Sequence, residues 1–185
     1  MAASDVRRAG VLLLALTGAC AQAGTLTEFR QTLASHDSAT VALEQWCERR
    51  GIMAPAHVLA VAQDDAAAVP ASPAIRAALG VGADEPVRVR HVLLTCGNTV
   101  LSDARNWYVP ARLTPDMNHT LDTTRVPFGK VVAPIGLHRV PQAHASAAPC
   151  PTGTIQHDTA VLHRNDGLAY SLVSECYTRA NIDPR

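Results

Sequence analysis

Ile155 to Thr178 reads Ile-Gln-His-Asp-Thr-Ala-Val-Leu-His, then Arg164-Asn165-Asp166-Gly167, then Leu-Ala-Tyr-Ser-Leu-Val-Ser-Glu-Cys-Tyr-Thr. Two apolar runs flank an Asp-Gly turn, which predicts a β-hairpin over 155–163 and 168–178. Working back along the chain, Val87 to Thr95 and Thr99 to Val109 flank Cys96-Gly97-Asn98 and predict a second hairpin. Each hairpin carries a charge inside its apolar pattern: Arg90 in the first and Glu175 in the second. A charge among strand residues either faces water or, if buried, needs a partner, an altered protonation state or a ligand. An inward Arg90 and an inward Glu175 would together suit a small carboxylated ligand, and we expect them to converge in one cavity.

Short helices lie between the hairpins. Asp37 or Ser38 is placed as an N-cap for a helix through Arg49, with Gly51 as its C′ residue. Leu43, Trp46 and Cys47 share one face of that helix. Ser72-Pro73 opens a helix that Gly80 closes, and Thr114-Pro115 opens another. His57 to Val61 reads as a strand, Gln63 to Ser72 as an Ala-rich loop, and Pro127 to Val132 as a compact turn or helix start. Val140 to Thr154, rich in Pro, Ala and Ser, reads as a surface loop. Hairpins interleaved with short helices, without regular βαβ alternation, predict an α+β fold: a single antiparallel β-sheet with short helices packed on it.

The start reads as a cleavable export signal over 1–23, followed by one domain over 24–185. Arg7 and Arg8 precede the apolar run Val11 to Leu16, and Ala21-Gln22-Ala23 fits an A-x-A cleavage site. The run is too short for a stable membrane span. The expectation is a periplasmic or secreted protein, with a cytoplasmic one as the alternative. Loss of 1–23 removes Cys20 and leaves Cys47, Cys96, Cys150 and Cys176. In an oxidising compartment these predict two disulfides with three open connectivities. Cys176 follows Glu175, so its side chain points to the opposite face.

Composition excludes several function classes. Sixteen basic and sixteen acidic residues leave no basic face for nucleic acid. Aromatic residues make up 4%, too few for a base-stacking platform. No Gly-x-Ser-x-Gly elbow surrounds Ser171 or Ser174, which argues against a serine hydrolase. His138, His144, His157 and His163 match no metal-ligand spacing, and no C-x-x-C pair occurs. No metal and no cofactor are expected.

Five segments carry a resemblance: Asp37-Ser38-Ala39-Thr40 with Leu43-Glu44; Val89-Arg90-His91-Val92-Leu93-Leu94; Tyr108-Val109-Pro110; Val126-Pro127-Phe128-Gly129-Lys130; and Glu175 in the closing strand. In this order and rough spacing, over about residues 35–178, the chain resembles the chorismate pyruvate-lyase family. That family shares its fold with the UTRA effector-binding domain of bacterial regulators. The resemblance places Arg90 on the family's carboxylate-binding arginine and Glu175 on its catalytic-site glutamate. Ala39 stands where the family has Met, and Phe128 where it has Leu. It implies a cofactor-free carbon-oxygen lyase that eliminates pyruvate from chorismate, or a related enol ether, to give a hydroxybenzoate such as 4-hydroxybenzoate. Arg90 and Glu175 would be catalytic, and Arg90, Phe128, Glu175 and Ala39 would bind ligand. The alternative is an exported, non-catalytic binding protein for a small aromatic or carboxylate ligand. The partner expected is a small carboxylated aromatic or cyclohexadienyl molecule, and the chain is expected to act as a monomer.

Overall fold

The computed structural model describes residues 23–65, 69–142 and 149–183. All but the last position of the expected export signal lie outside the described residues, as does the centre of the 140–154 segment. Among the described residues no helix is long and apolar enough to cross a membrane.

Helix α1 occupies residues 23–34, a stretch to which the sequence reading assigned no element. It is followed by α2 (Ala39–Arg49), β1 (Val58–Ala62), α3 (Pro73–Leu79), β2 (Arg88–Cys96), β3 (Thr99–Tyr108), α4 (Pro115–Thr123), α5 (Phe128–Val132), β4 (His138–Pro141), β5 (Gln156–His163) and β6 (Ala169–Tyr177). The three longer predicted helices begin at their expected caps. Ser38, Ser72 and Thr114 each accept a hydrogen bond from the backbone N–H three residues on. Gly80 ends α3 in the left-handed conformation that a side chain would strain.

All pairings in the six-stranded sheet are antiparallel, in the order β1-β2-β3-β6-β5-β4. The sheet is therefore two three-stranded meanders joined in the middle by β3 and β6. The chain passes from β3 to the far edge through α4 and α5. The single antiparallel sheet and α+β class expected from the sequence are both present.

Register decides which side chains meet. Val92, Ala104, Glu175 and Asp158 stand in one row across β2, β3, β6 and β5. Arg90, Asn106, Val173 and Ala160 form the next row on the same face. That face is covered at one end by Phe29, Leu43 and Trp46 from α1 and α2. At the other end Leu121, Phe128, Val131 and Val132 from α4 and α5 cover it. The opposite face takes α3, whose Ile75 and Leu79 pack on Trp107, Val161 and Leu172. Adjacent Trp107 and Tyr108 thus serve different cores, and both are buried.

Both expected disulfides form, as Cys47–Cys96 and Cys150–Cys176. The first ties the inner face of α2 to the end of β2. The second fixes the segment before β5 to β6 from behind, on the face away from Glu175. Closing loops of these lengths contributes about 3–4 kcal/mol each in the chain-entropy picture.

The 140–154 expectation needs one correction. Val140 and Pro141 are not loop residues but end the edge strand β4, paired with Val161 and Ala160. Four residues with Pro at the end give too short an alternation for a strand signal, and the pairing with β5 supplies what local pattern does not.

Candidate functional site

A small cavity of about 30 Å³ lies on the helix-covered face, where the N-termini of α2 and α5 approach β3 and β6. It has room for about one or two waters. Ala39, Thr40, Asn106, Phe128, Arg139 and Glu175 are among its walls.

The approach of the two helices depends on Gly129. A Cβ there would stand 2.8 Å from Ser38 Oγ, the cap of α2. Phe128 just before it is buried, tilted against Tyr108 and stacked on Tyr170. Tyr170 is in turn held by its hydroxyl, which donates to the Gly136 carbonyl at 3.1 Å.

Glu175 is buried in the middle of β6. Its Oε2 accepts from Arg139 Nη2 at 2.5 Å and from the Tyr177 hydroxyl at 3.2 Å. Asp158 faces Glu175 directly across β5 and β6. Two opposed carboxylates repel, and the cation of Arg139 offsets this. Burial is the largest single influence and disfavours the Arg139 charge, but Glu175, Tyr177 and Asp158 together outweigh it, so the guanidinium's pKa is held above its ordinary value. Burial, then the Glu175 charge, pushes the Tyr177 phenol well above the usual tyrosine range.

Two further polar side chains stand in the cavity wall: the Asn106 amide and the Thr40 hydroxyl. Both are buried, at 5% and 4% exposure. They line it beside the first turn of α2, whose backbone N–H groups favour negative charge.

Ala39, Phe128 and Glu175 therefore share one cavity, whereas Arg90 is not among its lining residues. Arg90 is buried on β2, opposite Asn106 and two strands from Glu175. Its Nη2 donates to the carbonyls of Thr124 and Val126, at 3.3 and 3.4 Å, and its Nη1 is buried without a partner. Burial lowers its pKa. The expected convergence of Arg90 with Glu175 is thus replaced by Arg139 with Glu175. The chain leading into α5 presents carbonyls to Arg90, while the edge strand brings Arg139 within reach of Glu175. Sequence reasoning missed Arg139, Asn106 and Thr40. Arg139 was hidden in an unrecognised strand, and Asn106 shares its parity with Ala104 but is not apolar.

Beyond Arg139 the cavity adjoins a larger open cleft of about 570 Å³ between α1 and β4–β5. Asp37 and Arg139 line both spaces. Arg30, His36, His157 and Asp158 complete much of the polar lining of the outer one.

This architecture is a UTRA-like fold. It is similar to the crystal structure of the effector domain of PhnF from Mycobacterium smegmatis, with a TM-score of 0.52 and 16% identity, over 77% of this chain and 88% of that one. Against the crystal structure of PhnF the TM-score is 0.54 at 16% identity, and the match covers 79% of this chain and 65% of that one. The chain thus spans just under two thirds of PhnF. No protein-family model matches. The chain belongs to the family of the uncharacterized protein y4mC of Sinorhizobium fredii (strain NBRC 101917 / NGR234), to which it is 35% identical over 179 residues, covering 85% of this chain and 75% of that protein.

Proposed function

We propose that this domain is a non-catalytic binding module for a small carboxylated ligand. The ligand's anionic head would meet Asn106, Thr40 and the first turn of α2, and its body would extend past Arg139 into the outer cleft. The carrying observation is the pair of buried polar side chains, Asn106 and Thr40, that share one cavity wall with Arg139 beside the start of α2. The cleft's volume lies within the range of small-molecule sites.

A second reading is a cofactor-free lyase acting on chorismate or a related enol ether. The burial of Glu175 at the cavity favours it, since a positioned carboxyl can handle a proton in such an elimination. Against it, Glu175 is engaged by Arg139, and the space beside it is too small for a cyclohexadienyl ring. Export, suggested by the first 23 residues, also favours binding over the lyase reading. Thermal unfolding with 4-hydroxybenzoate, alongside incubation with chorismate, separates the two. A saturable rise in Tm without pyruvate release supports binding, since ligand at 100 times Kd adds about 2.7 kcal/mol. Pyruvate release supports the lyase. No effect in either assay would remove both.

A further inference from the structure

The back face of β5 and β6 carries a cluster that the ligand site does not use. His157 stands directly opposite Cys176 across the two strands. Cys150 reaches the same point through its disulfide. One ligand atom from each of Cys150, His157 and Cys176 lies within 4.8 Å of the others. The His157 ring is oriented from behind, with Nε2 at 2.9 Å from the buried Ser174 hydroxyl.

The two disulfides differ sharply in access. Cys47 and Cys96 are fully buried in the α2 core. Cys150 is only partly buried, and His157 is exposed. A reductant in water therefore reaches one bridge and not the other.

We infer that Cys150, His157 and Cys176 form a thiol-gated site for Zn(II), closed while the bridge is intact and opened by its reduction. A dithiol supplies the electrons. One of its thiolates attacks the more exposed Cys150 sulfur, breaking the S–S bond and releasing Cys176 as thiolate. Its second thiolate then displaces Cys150. The dithiol becomes a cyclic disulfide, and two electrons and two protons pass to the cysteines. Zn(II) binding then releases those protons and places two thiolates and one neutral imidazole on the metal, with water in the fourth position. Bond lengths of about 2.3 Å to sulfur and 2.0–2.1 Å to nitrogen put tetrahedral ligand atoms under about 4 Å apart. The Cα atoms of Cys150 and Cys176, 5.5 Å apart, need little movement to reach that geometry. The Ser174 hydroxyl, hydrogen-bonded to the ring, holds the imidazole in place.

The test uses the full chain, treated with dithiothreitol and then exchanged into reductant-free, oxygen-free buffer. Titration with Zn(II) against a chromophoric chelator is expected to give one equivalent bound by the reduced chain and none by the oxidised one. Iodoacetamide labelling with peptide mapping is expected to show Cys150 and Cys176 reduced and protected by Zn(II), with Cys47–Cys96 still bridged. His157→Ala, an exposed position, is expected to abolish the protection. Ser174→Ala is expected to weaken Zn(II) affinity by about tenfold. Equal alkylation of Cys150 and Cys176 with and without Zn(II), undiminished affinity in His157→Ala, or prior reduction of Cys47–Cys96 would each overturn the proposal. None of these outcomes bears on the 4-hydroxybenzoate melt of the oxidised chain, so the two proposals fail separately.

Discussion

Arg139, on the edge strand β4, reaches past β5 to place Nη2 2.5 Å from Glu175 Oε2 in the interior of β6. The two side chains are 15% and 8% exposed, so this is a largely buried ion pair. It closes the inner end of the outer cleft. Removing one partner strands the other charge in the interior. Arg139→Ala is expected to cost about 3–5 kcal/mol, whereas Arg139→Met with Glu175→Leu is expected to be near neutral. Urea unfolding of the single and double variants measures both.

Phe128 fills the wall opposite Glu175 and joins the aromatic contacts with Tyr108 and Tyr170. Phe128→Ala is expected to destabilise the domain by about 3–5 kcal/mol. Under the binding proposal it also widens the cavity. A panel of increasingly bulky benzoates, read by thermal shift, is expected to show stronger stabilisation by the larger members in the variant than in wild type.

All three tyrosines of the chain, Tyr108, Tyr170 and Tyr177, have pKa values raised above 10.0, in each case first by burial. The folded state therefore holds these protons more tightly than the unfolded state. Their contribution to stability is complete below pH 10 and is lost as pH rises from there through the folded values. Tyrosinate absorbance at alkaline pH is expected to appear late and together with loss of the fold. Non-cooperative titration near pH 10 in a folded chain would contradict the burial of these rings.

The Cys47–Cys96 bridge closes a separation of 49 residues and holds α2 over the sheet. Replacing both cysteines with Ala is expected to cost about 4 kcal/mol. Equilibrium unfolding checks it, and labelling of the untreated protein is expected to find no free thiol at the four paired positions.

The legible part of this fold was the part with local signals. Ser72-Pro73 and Thr114-Pro115 mark their helix starts because a hydroxyl cap and a preset φ are properties of two adjacent residues. Both hairpins were legible because period-two burial and turn chemistry coincide, as at Asp166-Gly167 before β6. Helix α1 and strand β4 were not. The stretch carrying Phe29 follows directly on the export-signal pattern, and β4 owes its form to β5. The site followed the same division. Glu175 stood out as a charge in an apolar strand, and Phe128 and Ala39 came from a resemblance. Arg139 depends on which edge the long β3–β4 connection reaches, which no local pattern encodes. Arg90 stands out as a charge in an apolar strand, but its partners are backbone carbonyls of residues 124 and 126, and a sequence does not display where carbonyls point.

The most direct test of the binding proposal is the side-chain NMR signal of Asn106, which is buried and lines the cavity. Titration of the ¹⁵N-labelled chain with 4-hydroxybenzoate is expected to shift the Asn106 side-chain NH₂ pair and the Arg139 Nε–H saturably, with one shared Kd. If both signals stay fixed while only surface amides drift in proportion to concentration, the cavity is not where a carboxylate binds.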